Sequence, residues 1–191
     1  EEKLYYELSN ILTDDTVQID IDERRDGLTV LSNYCIDRFY SGKEQYRTEM
    51  HMLNRYVVER NLFNRVKGGY FEPAMFNNTV TIALSLGENE WVLRFIEKYH
   101  TKLSPDIRNN TYNFCYSKYY FNIKDFKRSL ECINKVTYND IYHKFHGRIV
   151  LITLHYELGD YDSFFNVKKK KKKFIANDKL LTEQHKITNL N

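Results

Sequence analysis

The most concentrated chemistry in the chain is Lys168 to Lys173, six consecutive cations. A run of this kind can attract nucleic acid or an anionic membrane surface. It falls where helical spacing from Phe164 and Phe165 asks for apolar residues near 168 and 171 or 172. Three readings stand: a basic patch, a helix whose second half is solvated, or a stretch that is not natural core-forming sequence. His143 and His146 lie three apart on one helical face, with His155 further along. Zinc needs three or four converging ligands; no HExxH occurs and Cys132 falls in a different helix, so helix-surface histidines and no metal are expected. Asp20-Ile21-Asp22-Glu23 invites a calcium-loop reading and fails it. Arg24 and Arg25 stand where a ligand and the loop glycine belong, and Leu31 stands where a bidentate Glu is required. A solvated helix start is expected there, because acids are favourable at the positive end of a helix dipole.

Cys35, Cys115 and Cys132 are odd in number and form no CxxC pair. Neither a disulfide framework nor a thiolate zinc site is indicated; a reducing cytoplasm and small apolar core residues are. No GxSxG, GxGxxG or phosphate-cradling glycine loop occurs. Tyr116, Lys118, Tyr119 and Tyr120 interleave aromatics with a base, as single-stranded nucleic-acid binders do. Here the aromatics follow the buried stripe, which assigns most of them to the core. No residue nominates a nucleophile, so a protein without catalytic activity or cofactor is expected.

Those residues sit in 191 that are 42% hydrophobic, 29% charged and 15% aromatic, with seven glycines and two prolines. The composition excludes a disordered chain and a turn-rich sandwich. The longest apolar stretch found, Ile149 to Ile152, is far short of the roughly 18 residues a membrane helix needs. Net charge is +3, and without the six-lysine run it is −3, so the basic balance is local. The chain opens Glu1-Glu2-Lys3 without Met and reads as a piece of a longer protein.

Apolar spacing is helical almost throughout. Leu4, Leu8, Ile11 and Leu12 line a first short helix, broken at Thr13 to Thr16. Helices over about 22–41 and 43–63 follow, then a connection over 64–72 holding Gly68-Gly69. After Pro73 the pattern becomes one of helix pairs: Val80, Ala83 and Leu84 with Trp91, Phe95 and Tyr99; Tyr112, Cys115 and Tyr119 with Phe126, Leu130 and Ile133; Ile141, Phe145 and Ile152 with Tyr161 and Phe164. A last short helix is expected over about 178–190, and no convincing strand is found. Val92 to Phe126 is 34 residues and Phe126 to Tyr161 is 35, a period that suits stacked helix hairpins in a short solenoid.

On those residues the stretch from 73 to about 165 resembles the tetratricopeptide (TPR-like) helical repeats. Ser117 and Ala83 match the small position of the first helix, Tyr120 the aromatic three later, and Gly159-Asp160-Tyr161 the corner before the second helix. Lys124-Asp125-Phe126 matches that corner less well, and Ser129 and Val136 sit where the family prefers alanine. Ile152 and Phe164 depart from the pattern, and only three alanines occur. A looser α-α superhelix of another repeat type is the alternative. The general look resembles uncharacterised bacterial repeat proteins, a resemblance that carries no activity.

The resemblance implies an all-α fold of antiparallel helix pairs stacked as a TPR-like α-α superhelix. Residues 1–63 would be N-terminal helices and 64–191 the repeats with a capping helix, in one continuous solenoid. It implies a non-catalytic interaction scaffold that holds a peptide or partner surface in a groove. Groove-facing positions would be Asn77, Val80 and Leu84; Thr111, Phe114, Lys118, Phe121 and Asn122; and His146, Ile149, Thr153 and Tyr156. Asn77 and Asn122 would capture backbone, Lys118 a carboxylate, and Phe114, Phe121 and Tyr156 would anchor apolar groups. With the register off by one, Phe114 and Phe121 are core instead. The expected partner is a protein or peptide, with self-association open. The alternative is a nucleic-acid-associated repeat protein that uses the lysine patch.

Overall fold

Helix starts follow the local capping chemistry. The Asp20 carboxylate accepts the Asp22 and Glu23 amides at 2.8 and 3.4 Å, and the Glu72 carboxylate accepts the Met75 amide at 2.7 Å with Pro73 at the first helical position. The computed structural model describes residues 1–64, 68–138 and 141–177. In order, the helices are α1 (Glu2–Thr13), α2 (Ile21–Tyr40), α3 (Gln45–Glu59), α4 (Pro73–Ser85), α5 (Asn89–Tyr99), α6 (Pro105–Asn122), α7 (Phe126–Ile133), α8 (Ile141–Glu157) and α9 (Tyr161–Asn177). No strand occurs among the described residues. The protein is therefore all-α there. The helix expected over 178–190 lies outside the described residues.

The chain divides into two compact units, the first Glu1–Ser104 and the second starting at Pro105. In the first, α2 packs on both α1 and α3, and α4 on both α3 and α5. One core layer joins Tyr5, Leu28, Leu31, Cys35, Tyr46 and Leu53. Another is aromatic: Phe63 stacks on Phe71 at 4.2 Å, Phe76 lies 4.6 Å from Phe95, and Trp91 stacks on Phe95 at 5.2 Å between ring centroids. Residues 64–104 thus share the first unit with 1–63.

Arg24 fastens that unit. Only 9% exposed, it donates to the carbonyls of Leu12, Asp14 and Val17 at 2.5, 3.2 and 2.7 Å and to the Tyr56 hydroxyl at 2.9 Å. A buried guanidinium is tolerable only when its donors are satisfied in this way. Arg60 ties the same loop through Asp15.

In the second unit α6 packs on α7 and α8 on α9. Its core joins Phe114, Ile133, Val136 and Leu154. Small residues permit the α6–α7 approach: the Ser129 hydroxyl donates to the Ser117 carbonyl at 2.7 Å, and both serines are fully buried. On α8, a Cβ added at Gly147 would stand 2.3 Å from Tyr138 Cε1.

One corner recurs in both units. Beyond α4, α6 and α8 stand Gly87, Lys124 and Gly159, all left-handed at φ 79°, 62° and 71°. The next amide reaches back five residues each time: Glu88 to Ala83 at 3.0 Å, Asp125 to Tyr120 at 2.9 Å, and Asp160 to His155 at 2.9 Å. This is the Schellman pattern. Asp125 and Asp160 then accept the amides of Arg128 and Ser163, both at 3.1 Å, so one dipeptide ends a helix and starts the next.

Candidate functional site

α4 contains no Asp, Glu, Lys or Arg in its 13 residues. One face, with Phe76, Val80 and Ala83, is fully buried. The other face is uncharged, with Met75 and Ile82 half-buried among the exposed Asn78, Thr81 and Ser85. That second face, with Met75, Asn78, Ile82 and Ser85, forms one wall of a cleft of about 770 Å³. The opposite wall is α2, through Ser32, Ile36, Phe39 and Tyr40, and the floor is α3, through Met50, Asn54 and Val57. Ile36 is 40% and Tyr40 83% exposed, so apolar surface faces the opening.

Charge is kept to the two ends. At one, Arg25 donates through Nε to the Leu62 carbonyl at 3.2 Å and pairs through Nη1 with Asp22 at 2.7 Å, while Glu72 caps α4. At the other, Arg47 pairs with Glu44 at 2.7 Å and lies 4.9 Å from the Phe39 ring centroid. Between them the polar lining is neutral: Thr29, Ser32, Asn54, Asn78 and Thr81. An apolar trough with neutral hydrogen-bonding walls suits an amphipathic surface, and its charged ends can set direction.

The residues expected from the repeat register fall elsewhere. Asn77 is 1% exposed, and its side chain donates to the Pro73 carbonyl at 3.0 Å; the neighbouring Asn78 lines the cleft instead. Val80 is fully buried and Leu84 is 7% exposed. In the second unit Phe114 is fully buried, with Thr111, three residues earlier, equally so. Lys118 is half-buried, with Nζ 4.5 Å from the Phe114 ring centroid; burial holds its ammonium down at about 8. The buried His143 ring meets Phe114 edge-on at 5.1 Å. His146 is exposed, its imidazole held below its ordinary value by desolvation and then by Lys118 and His143. Phe121 packs on Phe126 at 5.4 Å against the core, and Asn122 is exposed. Thr153 donates to the Ile149 carbonyl at 2.9 Å, Ile149 is 36% exposed, and Tyr156, 58% exposed, lies 6.0 Å from Phe164. The structure thus brings Phe114, Lys118 and His146 into one neighbourhood, on a core rather than on an open trough.

Lys168 to Lys173 continue α9. Lys171 takes the stripe position, half-buried and 5.4 Å from the Phe145 ring centroid, and desolvation lowers its proton affinity. The other five are exposed. No three His, Cys, Asp or Glu side chains gather to hold a metal among the described residues. No described helix is long and apolar enough to cross a membrane.

Sequence reasoning missed the cleft. The signal it offered is in α4, where Met75 and Ile82 lie off the buried face of Phe76, Val80 and Ala83 with no charge beside them. Among the described residues, fold and cleft together define an all-helical protein with an apolar trough walled by two helices. No protein-family model, curated protein or solved structure matches the chain.

Proposed function

We propose that this protein is a non-catalytic interaction module of TPR-like helix pairs, and that its partner-binding surface is the cleft of α2, α3 and α4. The observation that carries the reading is the 770 Å³ trough walled by the charge-free face of α4. Its charged groups are engaged locally, Arg25 with Asp22, Arg47 with Glu44 and Glu72 with the α4 amide, which suits holding a surface rather than turning over a substrate. The TPR-like reading is supported by the corner shared by α4–α5, α6–α7 and α8–α9, and by the small residues Ser117 and Ser129 where α6 meets α7.

The test is a fluorescently labelled 16-residue amphipathic helix with leucines at i, i+3, i+4 and i+7 spacing, titrated into the intact chain by anisotropy. Ile36→Lys, on the cleft wall, should weaken binding at least tenfold. Val30→Lys, on the same helix at 61% exposure and away from the cleft, should leave it unchanged. Equal affinity for the wild type and Ile36→Lys would contradict the assignment.

A further inference from the structure

The cleft has a direction, and the following rests on its being the partner-binding surface. Arg25 reaches the Leu62 carbonyl while Arg47 covers Phe39, so α3 runs opposite to α2. Phe63 stacks on Phe71, which meets Phe76 edge-on at 5.3 Å, so α4 starts where α3 ends. Both walls therefore present their N-terminal ends beside Arg25 and Glu72, and their C-terminal ends beside Arg47. From Arg25 to Phe39 is 14 residues of α2, a length of about 21 Å.

Helix dipoles packed side by side attract when antiparallel, so the two walls favour a helix antiparallel to them and α3, on the floor, opposes it. An isolated helix favours acids in its first turn and bases in its last. The side-chain charges point the same way. Arg47 lines the cleft at the end where both walls present carbonyls; it pairs with the exposed Glu44, and its remaining guanidinium donors can take a second carboxylate. Glu72 offers a carboxylate at the other end, where Arg25 and Asp22 neutralise each other.

We propose that the cleft takes one amphipathic α-helix of about four turns, antiparallel to α2 and α4, with an acidic first turn beside Arg47 and a basic last turn beside Glu72. The occupant is a helix of a partner protein, chosen by an apolar stripe and by the order of its charges.

Two capped 16-residue peptides with the same leucine stripe test this, one with glutamates in the first turn and lysines in the last, the other with that order exchanged. At low ionic strength the intact chain should bind the acid-first peptide about fivefold tighter, as expected of two exposed ion pairs. Because the peptides differ in intrinsic helicity, the decisive quantity is how their affinity ratio changes in variants. Arg47→Glu should narrow or invert the ratio, and Arg47→Gln, which keeps part of the stem over Phe39, should reduce it. A ratio of one in the wild type, or one that survives both variants, overturns the orientation while leaving the cleft as a binding surface. Failure of both peptides to bind overturns the cleft reading on which the proposal stands.

Discussion

In the first unit the polar ties reach far along the chain. Arg24 holds Tyr56 across 32 residues, Tyr5 donates to Glu49 across 44, and Tyr56 and Arg60 both reach Asp15. In the second unit the described ties are shorter, Ser129 to Ser117 across 12 residues and Asn110 to Thr137 across 27. Both units use the same left-handed corner, so the hairpin is common and the fastening differs. The first unit fixes α1 to α3 with buried polar staples and leaves the α2 and α4 walls open. The second lays two of its lysines over aromatic rings, Lys118 over Phe114 and Lys171 over Phe145. A face becomes available for binding where something else holds the helices.

The largest effect should come from the staple. Arg24→Met removes four hydrogen bonds and strands buried carbonyls, at a cost of about 3 kcal/mol. Urea unfolding followed by the fluorescence of Trp91, the single tryptophan, reads it directly. A loss below about 1 kcal/mol would remove the contrast between the units. Next is close packing in the second unit: Gly147→Ala must displace the Tyr138 ring and should cost about 2 kcal/mol, seen as faster hydrogen exchange in α8.

A gain comes third. Lys124 holds a left-handed corner where its counterpart after α8 is Gly159. Lys124→Gly should stabilise the α6–α7 hairpin by about 1 kcal/mol, measured by hydrogen exchange over 105–133, whereas Gly159→Ala should weaken its own corner.

The smallest effects separate the units by pH. His51 is 5% exposed against Trp91, ring centroids 5.0 Å apart, and desolvation holds its imidazole below the ordinary value. Glu88 and Glu59 pull the other way, and Arg55 adds to the lowering. The unfolded chain therefore takes the proton first. The stability from a neutral His51 is complete above about pH 6.5 and is lost as pH falls from there through the folded value. His51→Phe should flatten that acid limb in Trp91-detected unfolding. Lys118 is lowered as well, to about 8, so the unfolded chain again holds the extra proton. The Lys118 share of second-unit stability should rise as pH climbs from about 8 to about 10.4, against the loss from the Cys115 thiol, which burial pushes up to about 12. Lys118→Met should therefore steepen the alkaline loss of stability.

Much of the helix pattern was legible in the sequence because its signals are local. Pro73, Ser104-Pro105 and Gly159-Asp160 set boundaries through backbone constraints that no tertiary contact reverses. The site was less legible. Phe114 and Asn77 carry side chains suited to a groove, yet both lie on buried faces, and helical spacing alone does not say which neutral face of α4 meets the core. Arg24 stood inside an apparently solvated acidic helix start, and only the fold brings the Leu12 carbonyl of α1, two loop carbonyls and Tyr56 to it. Lys171 shows the same limit, a cation on an apolar stripe made tolerable by the Phe145 ring.

The central claim is that a partner helix docks on the open face of α2, α3 and α4. Hydrogen–deuterium exchange of the intact chain, with and without a saturating acid-first amphipathic peptide, tests it most directly. Slowed exchange concentrated in 25–40 and 73–85 is the result expected. Slowing confined to 105–177, around Phe114, Lys118 and His146, with 25–40 and 73–85 unchanged, would contradict it.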